Sequence, residues 1–208
     1  MSQQLQRFLD SMKIDYMKWH EGVGYDLEAL RALSPEERSR VEDILTAHPC
    51  EDWRDVEALA ELGSQKAQSA LQNAINSSNY EVRIAATERL AKSGNISEGD
   101  VEKILIETIP AVTILNGQTS TLRLAENYPT PAVRQILLWC SLNGNDDIRV
   151  HAAALIYYLY GIAKTSFDWN FRAFYLRFGE KTFARRKLAF LEMCDTIHVD
   201  PKWANGEK

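Results

Sequence analysis

An all-α protein is what this sequence predicts, on three observations. Helix-capping signatures recur from end to end, and apolar residues return every three or four positions. One helix–turn–helix stretch is also written twice without a gap, so that Asn79 falls on Asn145. The strand signal is confined to one β-branched run in "IPAVTILNGQTS", which carries a proline and a glycine.

Taken in order, the periodicity predicts helices over 3–16, 25–32, 35–47, 52–62, 65–76 and 80–93. Further helices follow over 98–110, 119–127, 131–143, 146–163, 169–177 and 181–197. The start at Ser34 is the clearest. A serine oxygen can accept from unpaired first-turn amides, Pro35 lacks the N–H that would be orphaned there, and Glu36 and Glu37 meet the positive end of the helix dipole. Ser97 with Asp100 repeats that logic, and Thr130 with Pro131 repeats part of it. Gly63, Gly94, Gly144 and Gly161 each follow an apolar-periodic run, where helices stop.

At 208 residues, 45% hydrophobic and 25% charged, the chain has the composition of a globular protein with a sizeable core. The first twenty residues do not read as a secretion signal. The longest apolar run, "AAALIYYLYGIA" from Ala152, is too short to span a bilayer. Cys50, Cys140 and Cys194 are odd in number and far apart, which predicts free thiols in a reducing cytoplasm, and the short apolar run predicts no membrane partner. The net charge of −5 is unevenly spread. Residues 1–62 hold 14 acidic and 7 basic side chains, a balance of −7; residues 161–190 hold 7 basic and 2 acidic, a balance of +5. The acidic amino-terminal part argues against a nucleic-acid footprint over the whole chain and suits a basic protein partner.

The duplicated stretch pairs "SQKAQSALQNAINSSNYEVRI" with "TPAVRQILLWCSLNGNDDIRV". Leu71 matches Leu137, Asn79 matches Asn145, Arg83 matches Arg149 and Ala86 matches Ala152. A single helix pair cannot bury its apolar face alone, so such units stack against neighbours. The residues "EVRIAATERLA" and "DIRVHAAALI", with a weaker echo in "DWRDVEALAELG", resemble the HEAT-like repeat family. That resemblance implies a right-handed α-solenoid of antiparallel helix pairs with a C-terminal helical cap, in one domain over 1–208. Within it, 1–50 would be amino-terminal helices, 51–163 the repeats and 164–208 an aromatic, basic cap over the all-apolar helix that contains Tyr157–Tyr160. It also implies that Arg83 and Arg149 are structural, with Asn79, Asp146 or Asp147 as their partners in the inter-helix turns.

Residues capable of chemistry are present but not in chemical arrangements. His20 and Glu21 are adjacent in "KWHEGVGYD" with no second histidine at ligand spacing. "HPCED" offers His48 and Cys50 without a second pair to complete a zinc site. His151 reads as an interior histidine, and Asp195, His198 and Asp200 lie near a chain end that is poorly suited to preorganised catalysis. No phosphate loop, nucleophile elbow or H-E-x-x-H motif occurs. The expectation is therefore a non-enzymatic binding protein without metal or cofactor.

Its expected partner surface is acidic and aromatic: Trp19, Glu21, Asp52, Trp53, Asp55 and Glu57, with core packing as the competing role for Trp53. A short, acidic helical-repeat chain is similar to bacterial immunity proteins, which implies a cognate toxin, basic in charge, as partner. A general scaffold, adaptor or chaperone role is the first alternative. Some HEAT-like proteins bind DNA, and in that reading Arg172, Arg177, Arg185 and Arg186, interleaved with aromatics, would contact nucleic acid.

Overall fold

The structure is a computed structural model that describes residues 2–204. Among these residues it is all-helical, with two isolated bridges from Thr113 to Asn116 and Gly117 and no strand. The chain forms two compact units, Met1–Asn95 and Ile96–Lys208. The last four residues of the 164–208 segment lie outside the described residues.

The first unit holds α1 (Gln3–Ser11), α2 (Tyr16–His20), α3 (Leu27–Arg31), α4 (Pro35–Thr46), α5 (Trp53–Leu62), α6 (Gln65–Ala74) and α7 (Tyr80–Lys92). Helix α5 is central and packs on α3, α4, α6 and α7. Its Val56, Ala58 and Leu59 are fully buried, as are Phe8, Leu30, Val41 and Ile84 from its neighbours. At the start of α4, Ser34 and Glu37 close a reciprocal capping box with Pro35 in the first turn. The helix expected over 3–16 ends at Ser11, and Asp15 accepts from the Lys18 amide at 2.9 Å to cap a new helix over Tyr16–His20.

The second unit holds α8 (Glu98–Thr108), α9 (Gln118–Asn127), α10 (Pro131–Asn143), α11 (Asp146–Leu159), α12 (Arg172–Tyr175), α13 (Phe183–Thr196) and α14 (Pro201–Ala204). Helices α10 and α11 pack along each other, and residues 152–157 of α11 are buried without a break. The Tyr157 ring sits 5.0–5.6 Å from the rings of Phe171, Phe174 and Tyr175. That aromatic segment is not the continuous helix expected over 169–177. It is α12 flanked by 3-10 turns at Trp169–Phe171 and Leu176–Gly179. Asp168 starts it by accepting from the amides of Asn170 and Lys164.

The duplicated residues perform duplicated work. Asn79 accepts from the Glu81 amide to cap α7, while its Nδ2 donates to the Glu51 carbonyl at 3.1 Å. Asn145 accepts from the amides of Asp147 and Ile148 to cap α11, while its Nδ2 donates to the Val112 carbonyl at 2.9 Å. One amide therefore both caps the second helix and ties it to a segment about thirty residues upstream. The arginines also act in parallel, each reaching back to a turn carbonyl: Arg83 to Ser77 and Arg149 to Gly144, both at 2.9 Å. Arg149 further binds Asp146 at 2.6 Å and the Phe178 carbonyl at 2.9 Å. Asp147 instead receives the Ile114 amide at 3.2 Å.

Candidate protein-binding site

Four apolar side chains on α2 and the loop after it are exposed to solvent. Tyr16 is 70% exposed, Trp19 59%, Met17 58% and Val23 42%. The Tyr16 ring lies 6.2 Å from Trp19 and 5.9 Å from His20, so the exposed rings form one tilted cluster. Asp15 and Glu21 are exposed beside it.

What holds this cluster is the most deeply buried charge of the unit. Arg54 is 1% exposed. Its Nε donates to the Val23 carbonyl at 2.6 Å and one terminal nitrogen to the Lys18 carbonyl at 3.4 Å. The other terminal nitrogen takes both carboxylate oxygens of Asp52 at 2.9 and 3.0 Å. The guanidinium also lies 4.5 Å above the Trp53 ring. Helix α2 at Lys18 and its following loop at Val23 are thus held by one planar fork, a geometry lysine could not supply.

The six residues expected to form the partner surface divide on this geometry. Trp19 and Glu21 are exposed on the cluster, and Asp52 and Trp53 lie half-buried around Arg54. Asp55 points inward. It is 6% exposed, accepts from the amides of Glu51 and Asp52, and receives the Tyr25 hydroxyl at 2.9 Å. Burial first, and the Asp55 charge second, hold that hydroxyl well above the ordinary tyrosine range. Glu57 is paired with Arg89 at 2.6 Å. Tyr16, Met17, Val23 and Arg54 were not anticipated. Asp15 as a cap was the signal that would have placed Tyr16, Met17 and Trp19 on one short helix.

The four arginines of the alternative nucleic-acid surface are not equally available. Arg186 donates to the carbonyls of Glu180 and Lys181, and Arg177 is paired with Glu192 at 2.6 Å. Arg185 is 70% exposed, and Arg172 lies 5.5 Å over Trp169, itself 74% exposed. The neighbouring rings of Phe167, Phe171, Phe174 and Tyr175 pack on each other and on Tyr157. Trp169, and Phe183 at 49% exposure beneath Arg186, present their rings to solvent in the way base stacking requires.

The His151 ring lies 5.4 Å from Phe167, tilted by 42°, on the wall of a cavity of about 620 Å³ that Leu122, Arg123, Glu126 and Leu155 also line. Burial pushes its pKa below the ordinary histidine range. His48 and Cys50 line a second cavity of about 480 Å³ with Asn73 and Asn76. Burial raises the Cys50 thiol to about 11, so it is protonated at neutral pH and poorly nucleophilic. Among the described residues no group of three His, Cys, Asp or Glu side chains is placed to hold a metal ion, and no helix is long and apolar enough to cross a membrane. Comparison with protein-family models, curated proteins and solved structures gives no match.

Proposed function

We propose that this chain is a non-enzymatic protein-binding module whose contact surface is the α2 cluster, and that its partner is a basic protein. The observation that carries this reading is the exposed Tyr16–Trp19 ring pair on a backbone fixed by Arg54. Large aromatic side chains on a rigid frame lose little entropy when covered, which is the physical character of interface hot spots. Glu21, Asp15 and the −7 balance of residues 1–62 favour a cationic partner and a fast, salt-sensitive encounter. The doubled asparagine–arginine joints support a HEAT-like, right-handed stacking of antiparallel helix pairs as the frame. Three free thiols suit a cytoplasmic site of action. Within this class an immunity or inhibitor role against a basic toxin is the specific form proposed, with scaffold or adaptor as the alternative.

The test is affinity capture from native lysate in parallel with wild type and Trp19→Ala. A single basic protein retained by the wild type and released by Trp19→Ala or by raised salt supports the reading. Neutralisation of that protein's toxicity on co-expression selects the inhibitor form over an adaptor. Recovery of nuclease-sensitive nucleic acid that survives Trp19→Ala but is lost with Arg172→Ala and Arg185→Ala overturns it.

A further inference from the structure

Helix α13 buries one apolar face within the chain and exposes two leucines on the other side. Ala189, Phe190, Met193 and Cys194 are buried against α10 and the Leu176–Gly179 turn. On the opposite side Ala184, Leu188, Leu191 and Asp195 fall within an arc of roughly 60° at 3.6 residues per turn, all exposed to solvent. Leu188 is 64% exposed and Leu191 40%. The 4-3-4 spacing of this stripe is that of a helix-pairing seam. It is flanked by Arg185 and Lys187 toward the amino end and by Glu192 toward the carboxyl end.

That charge order runs against the helix's own electrostatics. The first turn of α13 carries no acidic residue, its cap Thr182 makes no side-chain hydrogen bond, and its last turn carries no basic residue. Cations near the positive end and anions near the negative end are unfavourable within one helix. They become favourable when a second helix of the same sequence lies antiparallel to it.

We infer that the exposed face of α13 is a self-association surface on which a second copy of this chain docks through its own α13, antiparallel and two-fold symmetric. With the axis between Leu188 and Leu191, each Leu188 meets Leu191 of the second copy. On one flank of the seam each Arg185 faces Glu192 of the second copy, since an antiparallel pair brings like flanks together. Every contact occurs twice, as an isologous interface requires. Glu192 already leans on Arg177 at 2.6 Å and Arg185 on Glu180 at 3.5 Å. Both pairs are exposed and weak, so they can be shared or exchanged. The stripe is about 16 Å long, well short of an interface that holds at low concentration. The dimer therefore forms reversibly as the protein is concentrated.

Sedimentation equilibrium of the full chain up to about 0.5 mM tests this. The wild type is expected to shift reversibly from monomer to dimer. Leu188→Glu should remain monomeric throughout with an unchanged thermal melt, since the residue is exposed. Arg185→Glu and Glu192→Arg each place like charges opposite one another and should each weaken the homodimer roughly tenfold. Mixed together, the two variants restore both ion pairs, and dimer mass should return in the mixture alone. A wild type that stays monomeric over the whole range overturns the inference. So does a dimer indifferent to Leu188→Glu, or a mixture no more associated than its components. None of these outcomes bears on the α2 cluster, so the two proposals fail separately.

Discussion

Burying a guanidinium is unfavourable unless its donors find acceptors, and Arg54 meets four oxygens: two backbone carbonyls and both oxygens of Asp52. Replacing it with methionine would keep much of the volume and strand the carbonyls of Lys18 and Val23. Arg54→Met is expected to lower unfolding stability by about 2–4 kcal/mol in urea titration. Trp19→Ala, on the exposed side of the same feature, should change stability by less than about 0.5 kcal/mol. That contrast separates the residue that builds the surface from one that forms it. The paired asparagines are the other residue-scale device. A leucine or aspartate could not replace them, because the joint needs an acceptor for the helix cap and a donor for the upstream carbonyl from one side chain.

At the scale of the element, helix ends show how local chemistry and packing divide the work. Gly63 is in the left-handed region at φ 67°, as a helix-terminating glycine is expected to be. Gly144 also ends a helix, yet its φ is −63° and its role is different. A Cβ there would lie 2.6 Å from the Cys140 carbonyl oxygen and 2.5 Å from Cγ2 of Ile148, so α10 and α11 meet too closely for any side chain. Gly144→Ala should destabilise by about 1–3 kcal/mol. Gly99 within α8 has no atom closer than 3.8 Å to its missing Cβ, and Gly99→Ala should be neutral or stabilise by up to about 1 kcal/mol. Thermal melts of the two variants give opposite signs if close approach, rather than glycine content, is what matters. Most helices were legible from caps and spacing at this scale. The end of α1 at Ser11 and the broken 169–177 segment were not: a single aspartate side chain caps α2, and the rings of the second segment pack against α11.

For the whole molecule, several carboxylates are held below their ordinary pKa. Asp26 is lowered first by the Ala29 amide and then by Arg7, and Asp168 first by the Asn170 amide and then by that of Lys164. A depressed folded-state pKa adds stability that is fully present above the ordinary value of 3.8 and disappears as pH falls through the folded value. Acid should therefore destabilise the protein in the window below 3.8, not near neutrality. Asp26→Asn and Asp168→Asn should be less stable than wild type at about pH 6, and the gap should narrow as pH falls below the ordinary carboxylate value in urea titrations.

The sequence by itself determined the helical class, the main capping chemistry and the equivalence of the two asparagine–arginine joints. Those properties depend on residues within a few positions of each other, so short-range chemistry specifies them. Only the tertiary structure decided which charges and rings face water. Asp55 and Glu57 stand four and two residues from Leu59 on one helix, yet one is enclosed beneath Tyr25 and the other bound to Arg89. Arg54 looks in the sequence like any surface arginine and is the most enclosed charge in its unit. Phe167–Tyr175 reads in the sequence as a cap over the apolar helix, with a stacking platform as the alternative, and only the fold places its rings against Tyr157. Burial is a property of what arrives from distant parts of the chain, and no local pattern encodes which neighbour that will be.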